Sequence, residues 1–324
     1  MNTLLAGVLK HNCVNFLSVV ACLLIPSLSL ANANEDNLRR QAQYCVEHRN
    51  YSCAEKKWRE FVKLKPNEES GRANLAIVLT RAEKHKEAIT IYEQLIDEGV
   101  GSWDLFANYA NSLKAQGNED KAMIWMYRTL AVVPNLVDVR GDLAKLLLKK
   151  NRGYEALSLL ASFDVASISK GANPYFVDQR ISIAEAIKHR ETTNNHPGPS
   201  QLVPKLEAHF YTVVSANGAD AVPFLIDTGA TNTTVSTEIL KKLGIVEPQQ
   251  KTLVSVNLAD GRTIQVYKIF VPELKVGPFL LQNVPVTYCN TCEALVGQSV
   301  LERFDLATRK EGGVEFLELK LRSK

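Results

Sequence analysis

An apolar run, Phe224-Leu225-Ile226, carries Asp227 straight into Thr228-Gly229-Ala230-Thr231. The run reads as a buried strand that stops abruptly and leaves a carboxylate on a tight loop at its end. Gly229 gives the backbone freedom to turn there, and Thr228 adds a hydroxyl that both donates and accepts hydrogen bonds. A carboxylate held in this way is an acid–base group. Other chemistries find little support. The six histidines include no His-Glu-x-x-His, and Cys289-Asn290-Thr291-Cys292 supplies one pair of thiols where a structural zinc site takes four ligands. The same Cys-x-x-Cys lies in β-rich sequence without a βαβ pattern, which favours a short-loop disulfide or two inert thiols over redox chemistry. There is no phosphate-cradling glycine loop and no basic–aromatic stripe for nucleic acid. No metal and no cofactor is expected.

The segments around Asp227 read as short strands. His209 to Ser215 and Ala221 to Ile226 flank Asn217-Gly218, a hairpin signal that delivers the chain into the aspartate. A short helix follows, with Ser236 as its N-cap, Ile239, Leu240 and Leu243 on its apolar face and Gly244 at its end. Leu253 to Leu258 and Thr263 to Ile269 then flank Asp260-Gly261, a second and stronger hairpin signal. Further on, Ala294-Leu295-Val296-Gly297 runs into Gln298-Ser299-Val300-Leu301, an apolar strand meeting a short helix. Gly297 permits close backbone approach there. Val314 to Leu321 alternates enough to be an edge or interface strand.

Three of these features, the Asp-Thr-Gly loop, the Asp260-Gly261 hairpin about thirty residues later and the Leu295-Val296-Gly297 strand, resemble the retropepsin-like (clan AA) aspartic proteases in order and spacing. The resemblance covers roughly residues 205–321. It implies that Asp227 is catalytic within the active-site loop Thr228 to Thr231, that Asp260 and Gly261 tip a flap over bound substrate, and that Leu295-Val296-Gly297 packs behind the loop. Viral members usually place arginine after this glycine, whereas Gln298 stands here. Aspartic proteolysis needs two carboxylates that share one proton. This chain has a single Asp-Thr-Gly, so the resemblance implies a homodimer with one Asp227 from each subunit.

Ahead of this region lies an internal repeat. Ala42, Ala76, Ala110 and Ala144 recur every 34 residues, as do Ala54, Ala88, Ala122 and Ala156. Trp58, Tyr92, Met126 and Leu160 hold a third register of large apolar residues. This pattern resembles the tetratricopeptide repeat, in which small residues let two helices of a hairpin approach closely. Spacing such as Ala88, Ile91, Tyr92, Leu95 and Ile96 supports amphipathic helices. Four units span about residues 36–168. Cys45, late on the first helix, and Cys53, early on the second, suit a disulfide across the first hairpin, with two unpaired buried thiols as the alternative. Such repeats imply a protein partner, with a spacer or dimerisation scaffold as the plainer reading.

At the start, Lys10 precedes an apolar stretch from Val14 to Leu30, and Ala31-Asn32-Ala33 forms a small-x-small cleavage site, as in a secretory signal peptide. An uncleaved or lipid anchor is the alternative. The formal charge of +3 argues for neither nucleic acid nor an acidic surface partner. The expected organisation is therefore a signal peptide over 1–33, tetratricopeptide-like repeats over 34–168, a capping helix and linker over 169–200 broken by His196-Pro197-Gly198-Pro199, and a retropepsin-like domain over 201–324. The fold class is multidomain α + β, an all-α solenoid followed by a mainly β domain. The expected function is an exported, periplasmic or secreted, aspartic endopeptidase whose repeats recruit substrate or partner. A non-catalytic peptide-binding scaffold built on the same two folds is the alternative.

Overall fold

The computed structural model describes residues 34–193, 200–206, 208–246, 251–258, 260–311 and 313–322. The expected leader and the Pro-Gly-Pro turn lie outside the described residues. The chain divides into two compact units, Met1–Val100 and Gly101–Lys324.

In the first unit, helix α1 (34–47) and α2 (Tyr51–Leu64) make one hairpin, and α3 (Glu69–Arg81) and α4 (His85–Asp97) make another. Asn50 starts α2: its side-chain oxygen accepts the Cys53 N–H at 3.0 Å, which satisfies an amide with no partner inside the helix. Ala42, Ala54, Ala76 and Ala88 are wholly buried, and Trp58 lies edge-on to Phe61 at 5.5 Å. A disulfide joins Cys45 to Cys53 and closes the first hairpin.

The second unit begins with α5 (Trp103–Ala115) and α6 (Glu119–Val132), then α7 (Val137–Lys149) and α8 (Gly153–Ser169). Ala110, Ala122, Ala144 and Ala156 are again wholly buried. Helix α9 (Val177–Thr192) lays Ile183 and Ile187 into the same core. Its start is fixed by buried Asp164, whose carboxylate accepts the N–H groups of Tyr175 at 2.7 Å and Phe176 at 3.0 Å.

Among the described residues ten strands follow: β1 Ser200–Leu206, β2 His209–Ser215, β3 Val222–Ile226, β4 Thr233–Ser236, β5 Thr252–Asn257, β6 Thr263–Val276, β7 Phe279–Cys289, β8 Leu295–Val296, β9 Phe304–Glu311 and β10 Val314–Leu321. Two short helices, α10 (Thr237–Lys242) and α11 (Gln298–Leu301), interrupt them. The strand order is β5-β6-β7-β4-β8-β3-β2-β1-β10-β9, with a further pairing of β6 to β2. Strand β6 runs well past Ile269 and forms a long ladder with β7, from Tyr267 opposite Tyr288 to Val276 opposite Phe279. The segment Val314–Leu321 is not the edge. It lies inside the sheet between β1 and β9, because the chain reverses after Glu311 with Gly313 at φ +84° and leaves β9 outermost.

One core, including Val214, Phe224, Ile226, Val271, Val286, Val296 and Leu301, fills the β region. A second core joins helices to sheet: Tyr127, Leu130, Leu143, Leu147 and Leu160 pack with Val213, Val314 and Phe316. Each fully buried leucine there contributes about 1.5–3 kcal/mol of apolar transfer. Helices α5 to α9 and the sheet therefore share an interior. An ion pair of Lys275 with Glu191 at 2.7 Å, and a hydrogen bond from the Tyr154 hydroxyl to Glu191 at 2.6 Å, join β6, α8 and α9 at its margin.

Candidate active-site loop

Strand β3 holds Phe224 and Ile226 inward and ends at Asp227, which is half-buried, with Thr228 and Gly229 exposed beyond it. Its neighbour β8 runs parallel, with Leu225 opposite Leu295 and Ile226 opposite Val296. The Asp227 N–H donates to the Val296 carbonyl at 3.0 Å, so the last ladder bond fixes the aspartate's own backbone. The carboxylate is fixed too. Its Oδ1 accepts the Gly229 N–H at 2.8 Å and the Ala230 N–H at 3.2 Å. Such bonds orient the group. Among the described residues, Oδ2 has no hydrogen-bond partner.

Behind the loop, Gly297 sits against backbone. A Cβ added there would lie 2.3 Å from the Asn232 carbonyl oxygen and 2.7 Å from that of Ala230, so only glycine fits. The Gly297 N–H donates to Thr233 Oγ1 at 3.1 Å. The Gln298 N–H donates to the Ala230 carbonyl at 2.8 Å, and its side-chain Nε2 to the Thr228 carbonyl at 2.7 Å. Ser299 contributes its N–H to the Thr231 carbonyl at 3.0 Å, while its hydroxyl accepts the Thr233 N–H at 2.9 Å. The structure thus brings Asp227, Thr228, Ala230 and Thr231 together with Gly297 and the two residues after it. Thr233 and Ser299 carry no sequence signal of their own, being hydroxyls in ordinary strand and helix positions. Their partners are set by the fold.

Asp260 and Gly261 stand at the tip of the exposed β5–β6 hairpin. Gly261 takes φ +84°, and Asp260 accepts from Arg262 through backbone and guanidinium at 3.0 and 2.7 Å. The Arg262 side chain holds the Asp260 carboxyl below its usual range. Cys289, at the end of β7, is disulfide-bonded to Cys292. From there the chain passes through Glu293, whose carbonyl accepts from Thr234 Oγ1 at 2.9 Å, directly into Leu295-Val296. No cluster of metal-ligating side chains occurs among the described residues.

The sequence model of the family described as "gag-polyprotein putative aspartyl protease" matches residues 212–303, a span that holds the Asp227 loop and Gly297. That match lies wholly within the β region. An uncharacterized protein from the cobV 5′ region of a Sinorhizobium species is 30% identical over 104 residues, covering 31% of this chain. The chain covers 44% of that relative's length. Among solved structures, a retropepsin-like aspartic protease from Rickettsia conorii is similar to 38% of this chain, over 92% of its own, at 21% identity and TM-score 0.31. A tetratricopeptide-repeat protein from Bacteroides fragilis is similar to 49% of this chain, over 84% of its own, at 14% identity and TM-score 0.31. Ahead of the β region, the described helices form hairpins whose buried alanines recur every 34 residues.

Proposed function

We propose that this chain is an exported aspartic endopeptidase that works as a homodimer, with Asp227 of each subunit forming the dyad. The observation that carries the proposal is the Asp227 carboxylate: Oδ1 is held by two amides of its own loop while Oδ2 is left for a second partner. Two carboxylates brought together cannot both ionise, so the pair shares one proton. The ionised member takes a proton from water as the oxygen attacks the peptide carbonyl, and the protonated member donates to the carbonyl oxygen. Substrate lies extended beneath the β5–β6 hairpin and adds its backbone to strand edges.

The family match supports the domain's chemistry, and the exposed outer strand β9 supports self-association. Antiparallel pairing of β9 with its copy about Ala307 would set Asp305 opposite Arg309 at both ends, joining unlike charges. The tetratricopeptide-like hairpins supply a surface for a protein substrate or partner. Two disulfides suit an oxidising compartment, and no helix among the described residues is long and apolar enough to cross a membrane.

The test incubates the full chain and its Asp227→Asn variant with a diverse peptide mixture across acid to neutral pH. New termini are mapped by mass spectrometry, and the oligomeric state is measured in parallel. Cuts made by dimeric wild type and absent from the variant are the expected result. A strictly monomeric protein at micromolar concentration would sink the dyad, and a dimer that cuts nothing would favour the scaffold.

A further inference from the structure

We infer that Gln298 is a positioning residue for the Asp227 carboxylate, acting through a single peptide plane; the inference rests on the protease reading. Gln298 is the first residue of α11, a helix anchored by Val300 and Leu301, which are almost wholly buried. From this base its Nε2 donates to the Thr228 carbonyl at 2.7 Å, while its own N–H donates to the Ala230 carbonyl at 2.8 Å. The Thr228 carbonyl and the Gly229 N–H belong to one planar trans peptide, in which oxygen and hydrogen point opposite ways. Holding that oxygen toward α11 therefore aims the Gly229 N–H at Asp227 Oδ1, which it meets at 2.8 Å. Glycine offers no side chain to restrain this plane, so the grip must come from outside the loop. A donor on a neutral amide does this without adding a charge beside the dyad.

The requirement is for a donor at this position. Gln298→Arg keeps one, Gln298→Ala removes it, and Gln298→Glu supplies one only when protonated, near the usual carboxylate range of about 4. The charged groups on the elements packed around α11 leave that titration simple. They are Asp227 in the loop, Glu302 and Arg303 after α11, and Asp305, Arg309, Lys310 and Glu311 on β9. Arg303 is engaged by the carbonyls of Gln282 and Asn283, Asp305 by Arg322 and Arg309 by Glu318. Strands β4, β7 and β8 carry no charge.

The experiment measures kcat and KM for cleavage by full-length wild type and the three variants across pH, together with exchange of the Gly229 amide by NMR. The expected result is a roughly tenfold fall in kcat for Gln298→Ala with KM within about twofold, recovery in Gln298→Arg, and recovery in Gln298→Glu only at acid pH. Gly229 exchange should quicken in Gln298→Ala and return in Gln298→Arg. Equal kcat in wild type and Gln298→Ala would overturn the inference, as would arginine doing no better than alanine. If wild type cuts nothing, the protease reading fails by itself and the amide decides: unchanged Gly229 exchange in Gln298→Ala overturns the positioning role, and faster exchange upholds it.

Discussion

Tyr127 lies edge-on to Phe316, ring centres 5.0 Å apart, so a side chain of the third helical hairpin and one from the last strand fill the same core. The helices of the second unit do not ride beside the β domain on a tether; they cover one of its apolar faces. That arrangement gives the helical region a part in the stability of the domain that bears Asp227, whatever else it binds.

A fragment beginning at Ser200 would expose Val213, Val314 and Phe316, all buried in the whole chain. It is expected to aggregate or melt far below the full protein, whereas a fragment beginning at Gly101 keeps its core and folds. Phe316→Ala should destabilise the chain by about 3–5 kcal/mol through lost burial and the cavity left behind. Urea unfolding and gel filtration measure both effects.

Beneath Tyr127, the buried Glu155 carboxylate accepts from the tyrosine hydroxyl and from Arg152 at 2.7 and 2.8 Å. Burial pushes the Glu155 carboxyl above its ordinary range, with Arg152 opposing. The folded state therefore holds this proton more tightly than the unfolded chain. The Glu155 contribution to stability is greatest below the usual carboxylate range and falls as pH rises toward the raised value. In Glu155→Gln this contribution to the slope should vanish. Comparing unfolding free energies of the two proteins from acid to neutral pH reads it directly, and parallel curves would refute the burial argument.

Gly297→Ala would drive a Cβ into the carbonyl oxygens of Asn232 and Ala230, both backbone atoms that cannot swing aside. The expected cost is about 1–3 kcal/mol of stability. Displacing the loop should also remove cleavage activity more completely than the stability loss alone accounts for. Thermal unfolding and peptide cleavage on the same sample separate the two.

At the tip of the β5–β6 hairpin, Gly261 sits at φ +84° with open space around it, so a substitution there meets backbone strain and no clash. Gly261→Ala should cost about 1–2 kcal/mol locally. Strain confined to the tip should speed amide exchange in the hairpin while leaving the sheet core unchanged. Equal loss of protection throughout the β domain would show that the hairpin is integral to the core.

Much of this protein is fixed by short-range pattern. The bonds of the Asp227 carboxylate to Gly229 and Ala230, the Ser236 cap of α10, whose side chain accepts the Ile239 N–H at 3.1 Å, and the turn at Gly261 depend on neighbours a few residues away. The 34-residue spacing of buried alanines likewise announces helical hairpins, because each hairpin needs a small residue at the same crossing. The place of Gly297 behind the loop was an implication of the resemblance, and the carbonyls of Asn232 and Ala230 leave no room for a Cβ there. Tertiary structure decided the rest. Gln298 meets Thr228 across 70 positions, and nothing local specifies that partner. Strand β10 became interior and β9 the edge because β1 returned to pair with β10, a choice that alternation alone leaves open. The covering of Val213, Val314 and Phe316 by α6 and α8 was equally hidden, because an apolar strand face states that it must be buried but not against what.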